Sequence, residues 1–136
     1  MKRRFAGSRW LALLTLAILS LSLACGKSGS SAPEATLAVT LTPAAGSTQA
    51  PAVGPFTLNV NITSAMPAKG VTIAVSASPD GSSATYFTST ASSTKASNDY
   101  TITNTPVGVI CVVKVIVTSL STSTNTFTGS YRYSAK

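Results

Sequence analysis

Val109-Ile110-Cys111-Val112-Val113-Lys114-Val115-Ile116-Val117 is an apolar run carrying one charge, and seven of its nine residues are β-branched. Such side chains lose rotamer freedom in a helix and pack well on a pleated surface. Charged Lys114 must face solvent. Period-two alternation then turns Cys111, Val113 and Val115 inward and sets Ile110, Val112 and Ile116 outward around Lys114. An apolar strand with one solvated position is expected at the centre of a sheet, so the run predicts an all-β fold.

The flanking sequence keeps the same period from residue 35 onward. Leu37, Val39 and Leu41 alternate with Ala38 and Thr40, and Phe56, Leu58, Val60 and Ile62 with Thr57, Asn59, Asn61 and Thr63. Val71, Ile73, Val75 and Ala77 follow, then Tyr100 with Ile102, then Phe127, Gly129, Tyr131 and Tyr133, each separated by Thr, Ser, Ala or Arg. Residues 84–89 read as a weaker edge strand. Between these segments lie Gly/Pro/Ala-rich residues 43–55, the turns Pro67-Ala68-Lys69-Gly70 and Ser78-Pro79-Asp80-Gly81, a polar loop at 92–99, a corner at 105–108 and a hairpin loop at 119–125. No segment offers a 3.6-residue apolar period. Seven short strands in about a hundred residues predict a two-sheet antiparallel sandwich with one core.

The N-terminal part is of another kind. Lys2, Arg3, Arg4 and Arg9 precede an apolar stretch at 10–23 that is shorter than the ~20 residues needed to span a bilayer. Basic start, apolar middle and small Ala24 are the three parts of an export signal. Leu21-Ser22-Leu23-Ala24-Cys25 resembles the bacterial lipobox, with Ser22 and Leu23 standing where that family usually has Leu and a small residue. The resemblance implies cleavage between Ala24 and Cys25 and acylation of Cys25 with palmitate-type chains. An ordinary secretory signal cut near Ala24, with Cys25 incidental, is the other reading. Residues 1–24 are thus expected to be a lipoprotein signal peptide, 25–34 a flexible small-residue tether, and 35–136 the sandwich. Several acyl chains at ~0.8 kcal/mol per buried methylene would hold such a chain on a membrane. Gly26 occupies the position where inner-membrane-retained lipoproteins of many Gram-negative bacteria carry Asp. By that resemblance the outer membrane is the expected location.

Charge follows the same division. The chain has 10 Lys and Arg against 3 Asp and Glu, net +7, but four of the cations lie in residues 1–24. Without them six cations face the same three acids, net +3. No basic run interleaved with aromatics remains, so no nucleic-acid partner is expected. Apart from Cys25 the only cysteine is Cys111, which excludes an intramolecular disulfide and reads as a small core hydrophobe.

Catalytic chemistry has few candidates. There is no His, and the acids outside the signal are Glu34, Asp80 and Asp99. Glu34 falls in the expected tether and Asp80 in a Pro-Asp-Gly turn. Asp99 beside Asn98 at a loop-to-strand junction reads as a turn or cap residue, since Ca²⁺ usually takes several carboxylates at close spacing; a weak Ca²⁺ site completed by carbonyls is the other reading. No metal site, cofactor or enzymatic activity is expected.

Pro106-Val107-Gly108, the 109–117 run, the Ser/Thr/Asn loop and Phe127-Thr128-Gly129-Ser130-Tyr131 resemble the last two strands of immunoglobulin-like domains in bacterial surface lipoproteins. The paired cysteines and the Trp of antibody domains are missing, and Val109 holds the place of a tyrosine corner. The resemblance therefore implies a seven-stranded Ig-like or fibronectin-III-like sandwich. It implies an interaction or structural module of the cell envelope. By the strand phase, outward Ile110, Val112, Lys114 and Ile116, joined in an Ig-like topology by Arg132, form a candidate contact face for an envelope protein. A central strand that tolerates β-branched residues on both faces, or a tether covering them, is the other reading. A carbohydrate-binding module is the alternative, although Tyr100, Tyr131 and Tyr133 fall on the inward phase.

Overall fold

The computed structural model describes residues 32–136. The expected signal peptide, the cleavage and lipidation positions Ala24 and Cys25, and most of the expected tether lie outside these residues. Seven strands form, in chain order β1 (Val39–Thr42), β2 (Phe56–Ile62), β3 (Val71–Pro79), β4 (Phe87–Ser93), β5 (Ser97–Ile102), β6 (Ile110–Ser119) and β7 (Thr126–Ser134). They build a three-stranded sheet ordered β1-β2-β5 and a four-stranded sheet ordered β4-β3-β6-β7, with every strand pair antiparallel. No helix occurs among the described residues.

The alternation in the sequence is the alternation of burial. Along β6, Cys111, Val113, Val115 and Val117 are fully buried. Opposite Val117, Val115 and Val113 β3 supplies Ile73, Val75 and Ala77 in register, with buried Val71 facing Ser119, and β7 supplies Tyr131 and Tyr133. The smaller sheet contributes Leu41, Leu58, Val60, Ile62 and Ile102, and all of these join one continuous core with Leu37. Burying a side chain of this size stabilises the fold by ~1.5–3 kcal/mol, so packing alone can hold a domain that has no disulfide. Cys111 is the free thiol inside that core.

Turn chemistry follows the residues that demand it. Gly70 and Gly81 have positive φ angles of 82° and 77°, and the Gly70 N–H closes its turn by donating to the Pro67 carbonyl at 2.8 Å. A Cβ at Gly70 would also lie 2.6 Å from the Ser93 carbonyl oxygen, so glycine is needed there for space as well as for φ.

Three features differ from the sequence expectation. The edge strand lies at 87–93 rather than 84–89, and the expected loop at 92–99 contracts to a short turn between β4 and β5. The reason lies in side-chain pairing: Asn98 and Asp99 read as turn formers, yet Ser93 Oγ donates to Asn98 Oδ1 at 2.6 Å and Asn59 Nδ2 donates to Asp99 Oδ1 at 2.7 Å. Asn98 Nδ2 also donates to the Lys95 carbonyl at 2.9 Å, so its side chain closes the shortened turn, while the bond from Asn59, the partner of Asp99 across β2 and β5, holds Asp99 in the strand. Second, residues 46–52 do more than connect β1 to β2. The N–H groups of Gly46, Gln49 and Ala52 donate to the carbonyls of Ser130, Arg132 and Ser134, and Arg132 N–H donates back to Ser47, so an irregular parallel segment caps the edge of β7. Third, the compact unit begins at Pro33. Glu34 is held by the side chain of Asn125, whose Nδ2 donates to its carboxylate at 2.6 Å.

Candidate functional site

β6 sits second from one edge of the larger sheet, and the register fixes what surrounds its outward residues. Ile116 lies between Ala74 of β3 and Thr128 of β7, Lys114 between Ser76 and Ser130, and Val112 between Ser78 and Arg132. Val112 and Ile116 are half-buried, while Lys114 and Arg132 are exposed. The five residues expected to share a face therefore do share one. The apolar part is narrower than a patch, because it is one strand wide and bordered by hydroxyls. Beyond β3, Thr88, Thr90 and Ser92 of β4 extend the hydroxyl-covered surface.

Charge on this face is partly spent within the molecule. Arg132 Nε donates to Asp80 Oδ2 at 2.9 Å across an open turn. Both side chains are about half exposed, and such pairs contribute about 0.2–1 kcal/mol. Their effect is to hold the 80–82 turn against β7. Lys114 has no carboxylate within ion-pair reach among the described residues.

The stronger apolar feature lies at one end of this face. Ile110 is 57 % exposed, and Val53, Val107 and Val109 are exposed with it. They lie at the end of the larger sheet where Ala135 bridges to both Ala52 and Val107 and Ile110 pairs with Ser134. Beside them is an open groove of about 370 Å³ whose walls include Val53, Pro55, Phe56, Ile102 and Val107. Asn104 on its rim holds a φ of 60°, a left-handed conformation rare outside glycine. The chain enters the sandwich elsewhere: the Leu37 N–H donates to Asn125 Oδ1, in the β6–β7 turn. β7 separates that turn from Ala135 by about 30 Å at the usual strand rise. Four exposed valines and isoleucines thus tip the end far from residues 33–37. Sequence reading found Ile110 but not Val53, Val107 or Val109. For Val53 and Val107 the available signal was apolar residues inside Gly/Pro-rich connections, which a solvated loop does not require; Val109 was read as the first residue of the long strand, which begins instead at Ile110 and leaves Val109 exposed.

The polar groups inside the sandwich are structural. The Tyr133 hydroxyl meets the Tyr86 hydroxyl at 2.5 Å and Thr105 Oγ1 at 2.7 Å, and its ring lies edge-on to Phe56 at 4.6 Å. Burial, together with hydrogen bonding to Cys111 and Tyr133, pushes the Tyr86 phenol far above its ordinary value; burial raises Tyr131 and Tyr133 as well. All three are neutral phenols at physiological pH. The Tyr131 hydroxyl is buried with no hydrogen-bond partner. Of the carboxylates, Glu34 is held by Asn125, Asp80 by Arg132 and Asp99 by Asn59. Among the described residues no three His, Cys, Asp or Glu side chains gather as metal ligands.

No family model matches the sequence, and neither a curated protein nor a solved structure does so. The surface chemistry described above must carry the functional reading.

Proposed function

We propose that the chain is a lipid-anchored lipoprotein of the bacterial outer membrane whose sandwich is a non-enzymatic protein-interaction module. The observation that carries the interaction reading is the gathering of exposed Val53, Val107, Val109 and Ile110 at one end of the sandwich. Isolated exposed apolar residues are ordinary, whereas a cluster beside a groove is the pattern of a contact site. That end lies opposite the segment leading back toward Cys25, so an anchored domain would hold it away from the lipid surface. The strip Ile110, Val112, Lys114 and Ile116 would extend the contact along β6.

A protein partner suits this surface better than a glycan. Sugar platforms use exposed aromatic rings, and here Tyr131 and Tyr133 are core residues while Tyr86, Phe87 and Tyr100 are half-buried. The strand grouping supports the fibronectin-III-like form of the sandwich. In antibody constant domains the fourth strand joins the sheet of the first, second and fifth. Here β4 pairs with β3 instead.

Two measurements test the proposal. Labelling with an alkyne fatty acid should mark the wild-type chain and not Cys25→Ala; equal labelling would sink the anchor. A photo-crosslinker at Val107 should capture a discrete envelope protein that one at Thr101, on the polar outer face of β5, does not. Identical capture from both positions would remove the end of the sandwich as the contact site.

A further inference from the structure

The two long sides of the sandwich finish differently. On one, residues 46–52 hydrogen-bond along residues 130–136, so that part of the β7 edge has its backbone groups paired. On the other, the sheets stop at β4 and β5. β4, Phe87-Thr88-Ser89-Thr90-Ala91-Ser92-Ser93, pairs with β3 alone. An antiparallel strand paired on one side directs the N–H and C=O of alternate residues away from its neighbour. Natural edges are usually blunted by Lys, Pro or a bulge. β4 contains no charge and no Pro, and its register with β3 runs unbroken from Val71↔Ser93 to Ala77↔Phe87. It belongs to the four-stranded sheet, opposite a sheet of three. Ala91 shares the core-facing side with its partner Ile73, yet Ala91 is exposed while Ile73 is fully buried.

The geometry points to β4 as the docking strand for a second copy of this chain, joined β4 to β4 antiparallel about a two-fold axis into one sheet of eight strands. Self-pairing of an antiparallel edge is isologous by construction, so one strand supplies both halves of the contact. With the axis at Thr90, Thr90 faces its own copy, Thr88 faces Ser92 and Phe87 faces Ser93 of the second copy. Even positions meet even positions, which continues the hydroxyl-covered outer face and the core-facing side across the junction. Paired Thr and Ser side chains stabilise such a contact. With no ionised residue in the strand, the axis brings no like charges together. Lys95, two residues past β4, is carried to opposite ends of the junction, about 30 Å from its copy at the usual strand rise. The other open edges suit self-pairing less well. β5 carries Asp99, which an axis along that edge would set near its copy, and β1 has only four residues.

Disulfide trapping in the full chain tests this. Residues facing one another across antiparallel strands lie about 4.5–5.5 Å apart at Cα, within reach of a disulfide. Thr90 is exposed, so Thr90→Cys keeps the fold. Whole cells carrying Thr90→Cys, treated with copper phenanthroline, should give a dimer on a non-reducing gel at several times the level of two controls. One is the wild-type chain, which reports any contribution of Cys25 and Cys111. The other is Thr128→Cys, exposed on the outer face of β7. Light scattering of the detergent-solubilised chain should give two copies for wild type and one each for Thr90→Lys and Thr90→Glu. An equimolar mixture of those two variants should return to two copies. A Thr90→Cys dimer no stronger than the controls, disulfide capture of a different polypeptide in its place, or a wild-type mass of one copy would each overturn the proposal.

Discussion

The inner and outer faces of β6 are made of nearly the same amino acids and do opposite things. Inward are Cys111, Val113, Val115 and Val117; outward are Ile110, Val112, Lys114 and Ile116. Composition alone could not separate them. What separates them is the neighbouring row: aliphatic and aromatic side chains of β3 and β7 within, Ser, Thr and Ala without. A β-branched strand is therefore neutral about which side is buried, and its single lysine decides. The two faces should then respond differently to the same chemical change.

The largest difference is expected between neighbours. Val115→Lys in a fragment spanning residues 33–136 buries an unpaired ammonium in a fully packed site and should abolish the cooperative thermal transition. Raising the pH should come next. The buried phenols of Tyr131 and Tyr133 hold their protons more tightly when folded, so their contribution to stability is intact below the ordinary tyrosine range and falls as pH climbs above about 10. Each fully buried phenol costs up to ~1.4 kcal/mol per pH unit there. Absorbance of tyrosinate at 295 nm should rise together with loss of the β circular dichroism signal; ionisation well before unfolding would place these hydroxyls in solvent.

Smaller changes sharpen the same contrast. Cys111→Ser puts a hydroxyl among Val and Tyr side chains and should lower stability by roughly 1–3 kcal/mol in urea denaturation. The native thiol should react with a maleimide only slowly, and quickly once unfolded. Tyr131→Phe removes a buried hydroxyl that lacks a partner, so it should leave stability unchanged or raise it by up to about 1 kcal/mol. A clear loss would reveal a bound water completing that hydroxyl. Ile116→Lys, on the outer face, should stay within about 1 kcal/mol of wild type.

The fold class and strand phase were legible because Lys114, Asn59, Asn61 and Arg132 mark the solvent side of otherwise ambiguous strands. β4 was harder to read. A Ser/Thr strand at an edge has no buried face to impose a period, and its bounds come from register with β3. Nor could the sequence show that residues 46–52 return to β7, since backbone hydrogen bonds between distant segments leave no side-chain pattern. The outward strip of β6 was legible for the same reason as the strand phase. The apolar end was not, because the segment at 52–53 is brought beside Val107 only through Ala135, which bridges to both Ala52 and Val107.

The capping of β7 by residues 46–52 has a temporal side. A chain made from its N-terminus presents residues 46–52 long before residues 130–136, to which their backbone must bond. Leu37 and Glu34 likewise wait for Asn125. Neither edge of that side can be completed until the last strand has emerged, and contacts of such long sequence separation form slowly. The sandwich can thus close only once nearly the whole domain has been made, so its earliest residues are among the last to find their partners.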